Sequence, residues 1–587
     1  MMKKVFLFLV FSFLVMAMQG CQADGEKPSS DFHALDSLSA LVGRQLQTRV
    51  QMLRKLQAAA RPVVSDTIHG RLTDRQGRPM VGVVVSDSYQ CVTTDSNGEY
   101  RMKPLAAARF VWYRVPAFCA IPVHSHDDHT ACVYLPLEKG KRTYNFTLTR
   151  LKGGVEKYYK LFVLGDPQIT NAISPYYTDA SDNPVKKSDL WRFTNQTMAD
   201  IRQTISNLPS EMPVYGLSMG DDVQYYGGYN AVLERQIRQA MGSTRMILFS
   251  VIGNHDQDGK ALYRRQWEAS FGPEDYSFDR GNEHYVCLND VWFYRNQAYY
   301  SPGQLTKRQL SWLRQDLALT SHAKKVILCY HVPLTFGNNP WRQATPLDIA
   351  SEQGHYASSN LSLLLKMLAP FKGGFELFCG HTHFAINHEI DFQGQHLMEH
   401  CHAAACGNIW QSNINICGTP NGYYVYSFYD GEIVGDYYKG TFWPADKQMT
   451  LFHADTDFNG ESYATDWAIP RGKGAIIANV FNADSRWKVV AIEDGQRYPM
   501  ERISSKGQDA FATGYHHKYS KSVNYHFISK QNGYLLMNHL FVYVPKRKGA
   551  LVKVRATDPF GNVYEERSVN VITEPFKNYA HYYTNGK

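Results

Sequence analysis

At 587 residues the chain is longer than one hydrophobic core fills, since single cores stop growing at about 250–300 residues, so two or three domains are expected. Hydrophobic residues make up 44% and charged residues 20%, which excludes a largely disordered chain. The net charge of +8 is spread thinly, with no Lys/Arg block longer than pieces such as Lys546-Arg547-Lys548, so a nucleic-acid groove is not indicated and a small anionic partner is served equally well.

The N-terminus opens with Lys3 and Lys4, followed by the apolar run Val5 to Met18, which is too short to span a bilayer stably. Gly20-Cys21 comes next. A small residue before a cysteine after such a run resembles the processing site of a bacterial lipoprotein, with Cys21 as the lipidated residue; Met18 departs from the Leu usual at its position, and ordinary signal-peptidase cleavage is the alternative. Either way the sequence predicts an exported protein, periplasmic or anchored to the outer membrane. Nine cysteines remain, and Cys119 with Cys132 and Cys406 with Cys417 are near enough in sequence to pair, whereas Cys329 and Cys379 sit in apolar runs and read as buried thiols.

Residues 22–62 read as a helical linker, with Leu35, Leu38, Val42, Leu46, Val50, Leu53 and Leu56 at three- and four-residue steps. From Asp66 the period becomes strand-like, and Gly70, Gly77-Arg78-Pro79, Gly82 and Asn97-Gly98 punctuate short Val- and Tyr-rich runs, so residues 63–150 are expected to form a small β-sandwich. The stretch from Ile68 to Tyr100 resembles the carboxypeptidase-regulatory-like sandwich, which implies no chemistry. Between residues 155 and 440, the buried runs Lys160–Leu164, Val214–Met219, Met246–Ile252, Lys325–Tyr330 and Phe375–Cys379 alternate with helical patterns such as Gln304–Leu319 and Leu361–Leu368. Strands alternating with helices predict an α/β sheet system with its ligands at the strand ends. Residues 445–573 read as a second β-sandwich, with turn signals at Gly472-Lys473-Gly474, Ser504–Gly507 and Asn532-Gly533 and a hairpin around Asp558–Gly561.

Each of the five middle strands ends in metal-binding residue types: Asp166-Pro167-Gln168, Gly220-Asp221-Asp222, Gly253-Asn254-His255-Asp256, His331, and Gly380-His381-Thr382-His383. Singly, a His after a strand or a Gly-Asp pair is an ordinary loop feature. Together and in this order they resemble the calcineurin-like metallophosphoesterases, whose pattern runs D-x-H, G-D, G-N-H-D/E, H and G-H-x-H. The resemblance implies a four-layer α/β (α+β) sandwich core between two all-β sandwiches, an arrangement similar to that of a group of exported bacterial phosphoesterases.

It also implies two divalent metal ions, Mn, Fe or Zn, with Asp221 bridging, Asp166, Gln168 and His383 around the first, and Asn254, His331 and His381 around the second. Two cations neutralise a phosphate ester and supply a metal-bound hydroxide at neutral pH, and the mixed donor set suits these ions better than Ca. His255 is implied to face the leaving-group oxygen, with Asp256 orienting its ring. Gln168 stands where most of the family has His, which puts occupancy of the first site in doubt. Tyr225, Tyr226, Trp341, Arg342 and His355 follow ligand-bearing strands and are candidate contacts for a small phosphorylated substrate. The expected activity is hydrolysis of a phosphate mono- or diester. Two alternatives are a surface binding protein that has lost turnover, which only Gln168 favours, and a nuclease, which would need a continuous basic groove.

Overall fold

The structure, a computed structural model, describes residues 66–568 except 171–172, 179–183, 225–230, 258, 260, 295–297, 300–302, 336–359, 407–412, 455–456, 459–460, 463–473, 507–508, 510–511 and 513–535. The leader, Cys21, the helical linker and all five candidate substrate contacts lie outside the described residues. The described residues belong to one compact unit.

Period-two alternation builds the first part. In the strand Ile68–Asp74, Ile68, Gly70, Leu72 and Asp74 are buried while His69 and Arg71 face out. That strand sits in a four-stranded sheet with Glu99–Met102, Phe146–Arg150 and Cys119–Ala120, and a second sheet joins Cys91–Thr93, Val84–Ser86, Phe110–Tyr113 and Tyr134–Pro136. Leu72, Val85, Val111, Tyr144 and Leu148 fill the space they enclose.

The central part contains two mixed sheets, whose strands are numbered β1–β11 here. The first sheet holds β1 (Tyr158–Leu164), β2 (Val214–Ser218) and β3 (Ile247–Ser250), which run parallel. The second is built on β4 (Tyr276–Arg280), β5 (Glu283–Cys287), β6 (Lys325–Cys329), β7 (Phe375–Cys379), β8 (Ile386–Phe392) and β9 (Gln395–Cys401), in the order β4-β5-β6-β7-β9-β8. The hairpin of β10 (Gly422–Tyr429) and β11 (Glu432–Gly440) returns to the first sheet beside β1. Phe249 of the first sheet stacks on Phe278 of the second at 3.7 Å between ring centroids, and Phe278 on Tyr285 at 4.8 Å, so aromatic rings glue the facing surfaces. The other face of the first sheet is covered by α1 (Met198–Ser206), α2 (Ala231–Gly242) and α3 (Ala261–Phe271) through Ile201, Ile205, Leu233, Ile237 and Trp267. Two further helices, α4 (Lys307–Ala318) and α5 (Leu361–Leu368), bury Leu310, Leu313, Leu364 and Leu365 in the core shared by β6 and β7. A capping box at Thr306 and Gln309 fixes the start of α4.

The third part has two four-stranded sheets, Met449–His453 with Ile476–Val480, Leu536–Tyr543 and Glu501–Lys506, and Gln496–Pro499 with Lys488–Glu493, Val552–Thr557 and Val563–Arg567. The expected hairpin around Asp558 is present, with Val552–Thr557 antiparallel to Val563–Arg567.

The junction with the first part was not legible in the sequence. The strand Asp128–Ala131 pairs in parallel with β3 through Thr130 and Leu248, so a hairpin of the first part extends the first central sheet. Trp112 and Trp312 meet edge to face at 6.0 Å, with Trp312 Nε1 donating to Ser86 Oγ. Arg114 reaches across to the Leu319 carbonyl, and Arg280 donates back to the carbonyls of Pro116 and Cys119. Neither expected disulfide is present: Cys119, Cys132 and Cys417 are thiols, and Cys406 Sγ accepts from Arg192. Cys119 belongs to the small four-stranded sheet and Cys132 follows the strand that joins the central one, while Cys417 instead contacts Thr419 and receives the Ala385 N–H.

Trp312→Ala should lower unfolding stability by about 3–5 kcal/mol, read by chemical denaturation, because it empties a fully buried site and removes the indole hydrogen bond to Ser86. A pH effect comes from Glu283. Burial pushes its carboxyl from 4.5 up to about 7, against hydrogen bonds from Tyr159 and the Gly431 N–H. A raised carboxyl pKa means that the folded state holds a proton the unfolded chain releases, so this contribution is complete below about pH 4.5 and is lost as pH rises through about 7. Urea midpoints measured from pH 4 to 8 should decline across that window more steeply for the native chain than for Glu283→Gln.

Candidate metal centre

The five ligand-bearing loops follow the C-terminal ends of β1, β2, β3, β6 and β7, which are parallel within their sheets, so the sheets deliver all five to one place. Asp166, Asp221, His331 and Asp256 are completely buried, Gln168 is 1% exposed, and Asn254, His383 and the backbone around them are buried as well. The side chains converge on Asp221. Its Oδ2 lies 3.2 Å from His331 Nε2 and 4.0 Å from His255 Nε2. Asp166 Oδ1 lies 3.6 Å from His383 Nε2 and 3.9 Å from His331 Nε2. Ligand atoms of Asp166, Asp221 and His383 fall within 4.8 Å of one another, and so do those of Asp221, His331 and His381, so the two groups have Asp221 in common.

The backbone is forced to make this cluster. Asp166, Gln168, Asp221, His381 and His383 all have positive φ, between 31° and 70°, a region that costs a non-glycine residue of order 1 kcal/mol or more. Two glycines permit the close approach: Gly220 has φ +94° and a Cβ there would meet His331 Nδ1 at 2.8 Å, while a Cβ on Gly253 would meet Asp221 Oδ1 at 2.1 Å. In return the loops supply amides to the acids. Both oxygens of Asp166 accept the His381 N–H at 2.9 Å, and Asp221 Oδ1 accepts the His255 N–H at 2.7 Å.

These acids are short of positive charge. Burial holds the Asp166 carboxyl well above the usual range, and burial with neighbouring Asp222 does the same to Asp256. Burial also raises Asp221, but His331 and His255 overcome it and bring that carboxyl below its ordinary value. Burial lowers the His331 pKa, but Asp221 and Asp166 overcome it and bring it up to about 10. Burial lowers His381 and His383, the latter to about 3, so both present neutral rings.

The donor set fits a cation. His331 Nδ1 donates to the Met219 carbonyl at 2.7 Å, which aims Nε2 at the cluster, the arrangement that metal-binding imidazoles use. Gln168 Oε1 is buried with no hydrogen-bond partner, while Gln168 Nε2 donates to Gln224 Oε1 at 3.0 Å. An amide oxygen left bare among buried acids is a ready ligand for a cation, and Gln224 is what turns the amide that way. Asn254 Nδ2 is likewise buried without a partner, and its Oδ1 lies 3.1 Å from His331 Nε2.

One role is corrected. Asp256 was expected to orient the His255 ring, but its Oδ1 accepts the Val223 N–H and its Oδ2 the Gly253 N–H, so it ties the second and third loops together instead. The reason is its position inside a tight turn, where backbone amides reach the carboxylate first.

Other contributors lay outside the expected ligand set. Asp222 accepts from Ser218 and Ser250, and burial pushes its carboxyl up to about 6. Asp290 Oδ1 accepts the N–H groups of His331 and Val332. Asp222 follows Asp221 directly, which was a usable signal; Asp290 and Gln224 stand alone in sequence.

A family model for the N-terminal domain of calcineurin-like phosphoesterase matches residues 66–151, and one for the C-terminal domain matches residues 399–564. The chain therefore carries segments that match both the N-terminal and the C-terminal domain of calcineurin-like phosphoesterase. The matches are those of a metal-dependent phosphoesterase, and the seven expected ligands fall between the two matched segments. No curated protein matches the chain. Among solved structures, the purple acid phosphatase of yellow lupin (Lupinus luteus) seeds is 11% identical with a TM-score of 0.32, the match covering 60% of this chain and 56% of that one. The sulfate thiohydrolase SoxB of Thermus thermophilus, in complex with glycerol, is 11% identical with a TM-score of 0.28, covering 48% and 56%. The chain spans little more than half the length of either, and likenesses this weak carry no argument.

Gln224→Leu removes the acceptor that orients Gln168. It should weaken divalent-metal binding about 10- to 100-fold, as loss of an outer partner does, whereas Gln224→Glu keeps an acceptor and should retain affinity; calorimetric titration with Mn or Zn reads the difference.

Proposed function

We propose that this phosphoesterase hydrolyses a phosphate mono- or diester with two divalent cations that share Asp221. The observation that supports this most is the pair of donor groups with that one carboxylate in common. In this reading Asp166, Gln168, Asp221 and His383 hold one cation, and Asp221, Asn254, His331 and His381 hold the other. Mixed imidazole, carboxylate and amide donors favour Mn, Fe or Zn. When bound, the pair supplies neutralisation of the phosphoryl oxygens and a water of lowered pKa.

The chain's own residues do the rest. The strained loops fix the donors before substrate arrives, so little reorganisation is left for the reaction. Met219 and Asp290 hold His331 from behind, through its ring and its backbone. His255 stands at the rim, its side chain 15% exposed, where it can meet a leaving-group oxygen. Burial lowers its pKa, so the ring is neutral near pH 7 and still donates one N–H. The two sheets with their outer helices are read as the layered core expected for this chemistry, braced by the flanking β-rich parts.

Placement is part of the proposal. Lys3, Lys4, the run from Val5 to Met18 and Gly20-Cys21 favour export to the periplasm or anchoring on the outer membrane through Cys21. No described helix is long and apolar enough to cross a membrane. A substrate outside the cytoplasm, such as a nucleotide, sugar phosphate or phospholipid headgroup, follows from that placement, and the diffuse charge gives nucleic acid no special support.

Elemental analysis of the purified protein, paired with hydrolysis of p-nitrophenyl phosphate and its bis ester under Mn, Zn or Fe, tests the reading. About two metals per chain with turnover of either ester is expected. Asp221→Asn should lower metal content and remove most turnover. His255→Ala should keep the metals and slow turnover on the order of 100-fold or more. Metal-free, inactive protein under every condition would favour the binding-protein reading, for which Gln168 is the one feature in hand.

A further inference from the structure

Two cysteines outside the ligand set lie face to face beneath it. Cys379 ends β7 and Cys401 ends β9, and the two are direct partners in the register of these neighbouring parallel strands. Both are fully buried thiols, and their Sγ atoms are 3.0 Å apart, about 1 Å more than the ~2.05 Å of a sulfur–sulfur bond. Neighbouring strands lie about 4.8 Å apart, inside the roughly 4.4–6.8 Å that disulfides span between Cα atoms.

Glu399 completes a compact trio with them, which raises a metal site as the competing use. The carboxylate is already taken. Its Oε1 accepts from the Tyr330 hydroxyl at 2.7 Å and the Leu334 N–H at 2.8 Å, and its Oε2 accepts from the Thr335 N–H and hydroxyl. What remains available is a pair of sulfurs.

We propose that Cys379 and Cys401 are a cross-strand dithiol that closes to a disulfide when the chain folds in the presence of a disulfide oxidant. One cysteine, as thiolate, attacks a sulfur of the oxidant and expels a thiolate. The second then attacks the cysteine sulfur of that mixed disulfide and expels the other half of the oxidant. Two cysteine thiols lose two protons and two electrons, and the oxidant's disulfide becomes two thiols. The reaction belongs to folding. In the finished sheet both sulfurs are buried and out of reach of a disulfide oxidant.

The bond would sit where it matters to the ligand loops. Beyond Cys379 the chain runs directly into His381 and His383. Beyond Cys401, His402 donates its backbone N–H to the Cys379 carbonyl, and Ala405 donates to the Gly165 carbonyl beside Asp166. The disulfide joins the strand that delivers two imidazoles to the strand that braces Asp166.

The test uses the full chain and does not depend on metal or substrate. The protein is folded either with oxidised and reduced glutathione or with dithiothreitol, then denatured, alkylated with iodoacetamide without reduction, digested and mapped by mass spectrometry. The expected result is a Cys379–Cys401 linked peptide after oxidative folding and alkylation of both after folding with dithiothreitol. A second reading is the thermal midpoint, which should be higher for the oxidised chain than for the reduced one and equal in the two conditions for Cys379→Ser/Cys401→Ser. Alkylation of both cysteines after oxidative folding would overturn the proposal. Linkage of either to another cysteine, or zinc that protects both thiols in the native protein, would overturn it as well.

Discussion

Four carboxylates, Asp166, Asp221, Asp222 and Asp256, are fully buried at adjoining strand ends. Negative charge withdrawn from water at that density is tolerated only if it is neutralised, hydrogen-bonded or matched by cations. The protein uses all three means. Burial keeps Asp166 and Asp256 toward the protonated form, serine hydroxyls and backbone amides serve Asp222 and Asp221, and the His331 ring, its pKa raised by the two acids, lies against Asp221 and Asp166. Much of the surrounding structure is a consequence of this one demand. Loops must turn amides inward to reach the acids, so the chain enters left-handed conformations at five non-glycine positions, and glycine is needed where backbone and carboxylate nearly touch.

Strain of that kind persists only where the neighbouring structure over-determines it. The two central sheets supply the rigidity: strands with fully buried β-branched and aromatic residues run into each loop, and stacked rings join the sheets face to face. The third part holds the far end of the second sheet. Arg502 pairs with Glu389 on β8 at 2.7 Å, and Asn538 donates to the Asn387 carbonyl. The donors are therefore fixed by packing from two sides, and their geometry does not rest on the loops' own preferences.

The strands that carry ligands were legible because each is a short, mostly apolar run that stops at a polar cluster, and Leu361–Leu368 was legible as a helix from its leucine spacing. The ligand positions could be read because strand ends in a parallel sheet share one edge, so motifs far apart in sequence become neighbours. Three things were hidden. Asp290 acts through hydrogen bonds from residues 41 and 42 positions away and Gln224 through one from a residue 56 positions away, and no local pattern records such contacts. The role of Asp256 was misread because a motif gives residue types in order but not which backbone amides close on them. The hairpins of β8 with β9 and β10 with β11 were absorbed into an expected strand-helix alternation, since a strand buried on both faces lacks the alternation that marks a surface hairpin.

The hairpin of the first part that joins β3 has a bearing on solubility. A parallel sheet ends in a row of unpaired amide and carbonyl groups, and an open row of that kind is a template for another chain. Here the row beside β3 is covered by Asp128–Ala131, and the outermost position passes to Val123–Ser125, a strand of three residues with a register shift. The first part thus blunts the edge of its neighbour's sheet. A shortened version beginning after residue 150 would keep every ligand named above and yet present β3 bare, a template for self-association.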